Sequence, residues 1–188
     1  MAFRLLLATI LSCALAACSS NTAVPTSSPL SQSSAVSVSM PGFITSPTTV
    51  LRWRSDLIWI DDPEGRFERR ADMLQHALQS EFERKGYTFV GTDETANFDV
   101  LAVALLGDIQ GHTEVEETFR MYPSLSAPSQ GYKRGTILVA LAVAGTKTVV
   151  WRGALEMFTD PEMQKVQVRE QRMQWGAMQV LSSIPNYK

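Results

Sequence analysis

The chain of 188 residues has two cysteines and two histidines, Cys13, Cys18, His76 and His112, and that scarcity removes most metal and thiol chemistry. A zinc site wants three or four His, Cys or carboxylate ligands. His76, beside Gln75 and Gln79, reads as a solvated helix residue, and His112-Thr113-Glu114 as a weak loop pair. There is no Gly-x-Ser-x-Gly elbow, no Walker loop and no Gly-x-Gly-x-x-Gly after a strand, so acyl transfer and nucleotide chemistry lack their usual signatures. No catalytic residue, metal ligand or cofactor is therefore expected. Asn21-Thr22-Ala23 is no sequon, and no internal repeat is present.

Long apolar runs are also missing. Leu5 to Ala17 is apolar over 13 residues, whereas about 20 are needed to span a bilayer. A run of that length behind Arg4 and ending in small residues predicts a cleaved export signal over residues 1–17. Leu15-Ala16-Ala17-Cys18 resembles the lipobox of bacterial lipoproteins, which implies that Cys18 is the lipid attachment site, carrying diacylglyceryl and N-acyl (palmitate) chains. Two such modifications give stable anchoring where one chain gives marginal binding. Cys13 is discarded with the signal, so the folded part keeps no free thiol and no disulfide. Ser19 after the cysteine, rather than Asp, implies by the same resemblance the outer membrane of a double-membrane cell, with the domain facing the periplasm.

From Ser19 to Leu51 there is no charged residue, and 10 of the 28 residues from Ser19 to Ser46 are serine. Too few large apolar groups are present to offset the entropy of ordering, so residues 18–47 are expected to be a flexible tether. As a coil it would reach roughly 30 Å. The single domain then covers residues 48–188, with 16 basic against 19 acidic residues and a net charge of −3. No broad positive field exists to recruit nucleic acid.

Within that domain Val50 to Ile60 has strand composition, and Asp61-Asp62-Pro63-Glu64-Gly65 ends it as a turn. Phe67, Ala71, Leu74, Leu78 and Phe82 recur at helical spacing, predicting a helix from Arg66 to Lys85 with Gly86 at its C-cap. Phe98 to Leu106 reads as a buried strand, with Tyr87 to Val90 a short extended lead-in, and helix between strands suggests a β-α-β unit. Thr136 to Ala144 and Thr148 to Met157 form a hairpin around Gly145-Thr146-Lys147. Asp160 as cap and Pro161 in the first turn then open a helix that ends at Pro185. The expected fold class is α+β: a small mixed, mainly antiparallel sheet with two helices packed on one face.

Tyr132-Lys133-Arg134-Gly135-Thr136-Ile137-Leu138-Val139, followed by Val149-Val150-Trp151-Arg152-Gly153, resembles the signature of the bacterial lipoprotein family called domain of unknown function 4136. Ile58-Trp59, Leu78 with Lys85-Gly86-Tyr87, Asp99-Val100 and Leu181 to Pro185 are similar to further family motifs. The resemblance covers nearly the whole domain and implies an α+β lipoprotein domain for which no general activity is established. Ala140 and Val143 depart from it, standing where similar sequences commonly carry acids.

Two features point to a surface rather than to chemistry. Gly107 to Gly131, with Phe119, Met121, Tyr122, Pro123 and Pro128, is a 25-residue segment longer than compact domains usually use. Second, placing Leu101, Val103, Leu105, Ile137, Val139, Leu141 and Trp151 on the core face leaves Ala102, Ala104, Leu138, Ala140 and Ala142 on the other. An apolar outer face asks for a cover, either that loop or a partner chain. The expected interaction surface is thus Phe119, Tyr122, Leu138, Ala140 and Ala142. The functional expectation is an outer-membrane-anchored lipoprotein with a non-enzymatic envelope domain, held to the membrane by its covalent lipid and binding an envelope protein or itself. The alternatives are a glycan hydrolase using loop carboxylates among Asp61-Asp62, Asp93-Glu94 and Glu114-Glu116-Glu117, or a lipid-binding module.

Overall fold

The computed structural model describes residues 29–60, 67–107, 112–121, 123, 125, 132–159 and 165–188. In chain order they form β1 (Ser33–Ser39), β2 (Val50–Trp53), β3 (Ile58–Trp59), α1 (Glu68–Arg84), β4 (Thr88–Val90), β5 (Phe98–Leu106), α2 (Thr113–Phe119), β6 (Lys133–Val143), β7 (Val149–Thr159) and α3 (Val166–Val180). All seven strands share one sheet in the order β1-β7-β6-β5-β2-β4, with β3 also on β5. The long ladders β1–β7, β7–β6 and β6–β5 are antiparallel, and the short ones of β2 and β3 on β5 and of β4 on β2 are parallel. The sheet is mixed and mostly antiparallel, as the sequence predicts, but among the described residues the α-helices number three rather than two.

α1 forms where the apolar spacing predicts it, burying Ala71, Leu74, Ala77, Leu78 and Phe82 against the sheet. It ends because Gly86 takes a φ of 100°, which frees the Gly86 and Tyr87 N–H groups to close back on the Glu83 and Phe82 carbonyls. α3 packs beside it on the same face, where Ala177, Val180, Leu181 and Ile184 join a core with Val100, Val139, Leu141, Trp151 and Leu155. Gly153 lets α3 approach: a Cβ there would sit 2.9 Å from the Val180 carbonyl oxygen and 2.5 Å from the Trp151 ring. The cap predicted at Asp160 and Pro161 lies outside the described residues, and the described helix starts at Val166.

Three expectations are corrected. The first strand is split, because after the Arg54 N–H donates to the Val100 carbonyl Ser55 to Leu57 leave the ladder, and the Leu57 N–H turns to Gln75 Oε1 of α1 at 2.7 Å. The faces of β5 are exchanged: Leu101 pairs with Ala140 and Val103 with Leu138, whereas Ala102 pairs with Val139 and Ala104 with Ile137. Directly opposed residues share a face, so Ala102 and Ala104 lie under the helices and Leu101, Val103 and Leu105 face away. The segment expected to be slack is also partly folded. Residues 33–39 form β1 on the edge of β7, and Thr45 is buried, its hydroxyl 2.8 Å from both the Tyr87 and Tyr187 hydroxyls.

Candidate functional site

The sheet face away from α1 and α3 is covered by the chain itself. α2 lays Phe119 across it, and Phe119 and Met121 pack with Val103, Leu105, Leu138, Ala140 and Ala154 in a second core. The Leu125 N–H donates to Glu156 Oε2 at 3.0 Å, fixing the same segment to β7. Phe119, Leu138, Ala140 and Ala142 are consequently interior and not an interaction surface, a correction to the sequence reading: of the two possible covers the loop takes the place. Tyr122 and Cys18 lie outside the described residues. Sequence reasoning missed α2 because only Val115 and Phe119, four apart among three glutamates, carry its periodicity.

What remains open is the edge of the sheet. β1 is seven residues, Ser-Ser-Ala-Val-Ser-Val-Ser, and no strand of the described residues pairs with its outer side. Its register puts Val36 opposite Ala154 and Val38 opposite Arg152. Val36, Val38 and Met40 are 38%, 55% and 48% exposed, an apolar row at the margin of the covered face. The Met40 N–H donates to the Val150 carbonyl at 2.8 Å. Because hydrogen-bonded and non-bonded pairs alternate in an antiparallel ladder, Val36 and Val38 also bond to β7 while the N–H groups of Ala35, Ser37 and Ser39 point outward. Such an edge is ordinarily blunted by Lys, Pro or a bulge, and β1 carries none of them. The signal was present in the sequence as the Val36-x-Val38 alternation, masked by serine content.

Buried charge is used structurally. Asp99, 3% exposed, accepts from Arg52 Nη2 at 2.7 Å and from the Gly145 N–H at 2.8 Å, with Arg54 Nη2 at 3.4 Å. Arg52 also donates to the Thr92 and Glu94 carbonyls, and Arg54 to that of Thr146. One carboxylate therefore ties β2, the β4–β5 turn and the β6–β7 hairpin together. Burial alone pushes its pKa up, and the Gly145 N–H with the two guanidiniums outweighs that, leaving it below the usual carboxylate value. Glu81 is held by Arg84 through two bonds of 2.6 and 2.7 Å. Of the loop acids, Glu94 accepts from the Gly91 N–H, Glu114 and Glu117 are exposed, and Asp61-Asp62 fall outside the described residues. His76 is exposed, and no cluster of three His, Cys, Asp or Glu residues suited to a metal occurs among the described residues.

On the helix face a cavity of about 110 Å³ opens between α1, α3 and the ends of β5, β6 and β7. Leu74, Ala104, Ile137, Met157 and Met173 line it, with Trp59, Arg70, Thr136, Thr159, Arg169 and Arg172 as polar members. Nothing in the sequence reading singled it out, although Arg169 and Arg172 sit three apart on the α3 side that carries Met173.

No family model matches the sequence and no curated protein matches it. Among solved structures, a domain-of-unknown-function 4136 protein from Bacteroides thetaiotaomicron superposes with a TM-score of 0.50 at 11% identity, covering 78% of this chain and 95% of that one. The chain has the family-4136 fold. A protein of domain-of-unknown-function family 330 from Xanthomonas campestris matches with a TM-score of 0.42 at 11% identity, covering 78% and 86% of the two chains. A PelC dodecamer from Paraburkholderia phytofirmans matches with 0.45 at 8% identity, covering 84% and 100%. At 11% identity the likeness to the family-4136 protein is one of fold. In the family-4136 fold the segments that carry the sequence resemblance lie on the two central antiparallel strands, since Lys133 to Val139 are in β6 and Val149 to Gly153 in β7. Ala140 is fully buried in the second core, so its small apolar side chain matches its setting.

Proposed function

We propose that the chain is an outer-membrane lipoprotein, anchored through acylated Cys18, whose domain is a non-enzymatic interaction module that accepts a strand from another protein along β1. The anchor rests on the Leu15-Ala16-Ala17-Cys18 motif behind a 13-residue apolar run. The observation that carries the interaction is the β1 edge: seven uncharged residues, outward N–H groups and an exposed Val36, Val38 and Met40 row. Strand addition at such an edge takes affinity from main-chain bonds and specificity from alternate side chains. The matching partner is another uncharged strand of alternating small polar and β-branched residues, and a second β1 is the simplest.

Anchoring and edge are coupled by length. Only 11 peptide steps separate Cys18 from Pro29, where the described residues begin, so the covalent reach is at most about 40 Å. β1 is the first strand beyond that point, which keeps the edge close to the membrane where anchored copies or partners concentrate. Crosslinking in intact cells with Val38→Lys, which installs the usual edge-blocking charge, tests the reading. Wild type should give a discrete crosslinked species that the variant loses. Identical crosslinks and identical oligomeric state in both would end it.

A further inference from the structure

Among the described residues three buried side-chain nitrogens have no hydrogen-bond partner: Trp59 Nε1, Arg152 Nε and Arg169 Nε. Two of them, Trp59 Nε1 and Arg169 Nε, belong to residues that line the cavity between α1, α3 and the sheet. Buried donors are almost always satisfied, and each one left open costs about 1 to 3 kcal/mol. Their gathering around one cavity therefore points to an acceptor that the polypeptide does not supply.

The charge balance agrees. Arg172 gives Nη1 to the Leu30 carbonyl at 2.8 Å and Nη2 to the Phe158 carbonyl and to Met157 Sδ, so all three of these bonds are to neutral groups. No carboxylate among the described residues pairs with Arg169 or Arg172: Asp99 is taken up by Arg52 and Arg54, and Glu81 by Arg84. Burial accordingly lowers the Arg172 pKa with no opposing charge to restore it. Arg70 is engaged elsewhere, its guanidinium 4.8 Å from the Phe67 ring centroid. Among the described residues the cavity thus presents two positive charges without a carboxylate partner above a floor of Leu74, Ala104, Ile137, Met157 and Met173.

We infer that this cavity binds a carboxylate carrying a short alkyl chain, such as the head and first carbons of a fatty acid. The Nε edge of a guanidinium, with the neighbouring Nη, is a two-pronged donor that fits a planar carboxylate. Trp59 Nε1 supplies a further donor, and the apolar floor takes the carbons. Size sets the chain length: an apolar cavity of roughly 150 Å³ holds one benzene ring, so about 110 Å³ takes the near part of an alkyl chain and leaves the rest to emerge through the open side. This inference does not depend on the anchor or on the β1 edge.

The test uses the full chain carrying Cys18→Ser, which cannot be acylated and needs no detergent, titrated with octanoate by calorimetry and tryptophan fluorescence. Octanoate should bind saturably at one site, with octanol and acetate each weaker by about tenfold or more, because each lacks one of the two recognised halves. Arg169→Gln should weaken octanoate by about tenfold while leaving octanol unchanged. Trp59→Phe, which keeps the ring and removes the N–H, should weaken octanoate by a smaller factor. Unchanged thermal unfolding of both variants separates loss of binding from loss of fold. The inference is overturned if octanoate does not saturate, or if both variants bind it as wild type does. It is equally overturned if binding appears only after Asp160→Asn with Glu162→Gln, since the chain's own acids beyond Thr159 would then be the occupant.

Discussion

Replacing Asp99 by alanine withdraws one carboxylate from beneath two guanidiniums and a backbone N–H, and the consequence can be worked from the geometry. Removing one partner of a buried ion pair costs about 3 to 5 kcal/mol. Arg52 and Arg54 keep 21% and 31% of their side-chain exposure, and Arg52 retains the Thr92 and Glu94 carbonyls, which places the expected loss at the lower end, about 3 kcal/mol. For a domain of this size that lowers the melting temperature by about 6 to 12 °C. Urea unfolding of Asp99→Ala, Arg52→Met and the double variant measures it, with a coupling of about 1 to 3 kcal/mol expected between the two sites. Because the folded pKa of Asp99 is depressed below 3.8, its contribution is present at neutral pH and is lost as pH falls through the folded value. The wild-type and Asp99→Ala stability curves should therefore converge in acid. A loss below about 1 kcal/mol, strict additivity, or a gap between the curves that does not narrow as the pH falls would refute the reasoning.

Other outcomes follow from the same structure. Ala140→Glu buries a carboxylate without a partner in the second core and should cost at least about 4 kcal/mol in chemical unfolding. Val38→Glu on the exposed edge should stay within about 0.5 kcal/mol of wild type while abolishing association, and sedimentation reads that difference directly. Gly153→Ala drives a methyl into Trp151 and the Val180 carbonyl, so a cost of about 1 to 3 kcal/mol and a shifted Trp151 emission are expected. Burial pushes the Tyr87 hydroxyl from 10.0 up to about 12, the charge of Tyr187 adding to it and the bond with Thr45 opposing it. Ultraviolet titration should show one late tyrosine, and stability should fall between pH 10 and about 12 as the unfolded form ionises first.

The sequence carried its information unevenly. α1, β5 and the β6–β7 hairpin were legible because long apolar periodicity leaves few alternatives, and the mixed sheet followed from their order. The faces of β5 were not, since Phe98 to Leu106 is apolar on both sides and only its pairing with β6 decides which side meets the helices. β1 was hidden by its serines: a strand can be stabilised by a ladder on one neighbour without large side chains, and composition alone reads that as coil. The cavity could not be foreseen, because Trp59, Leu74, Ile137 and Arg169 come together only through tertiary packing. Phe119, Leu138, Ala140 and Ala142 are interior for an instructive reason: an apolar sheet face needs a cover, and the 25-residue loop was long enough to provide it from within.

Amide hydrogen exchange along β1, compared between the anchored protein in its own membrane and the dispersed monomer, tests the proposed role most directly. Val36 and Val38 should be slow in both states, because their N–H groups bond to β7. Ala35, Ser37 and Ser39 should be fast in the monomer and slow in the membrane, where an added strand closes the edge. Free exchange of those three amides in the anchored protein would contradict the account.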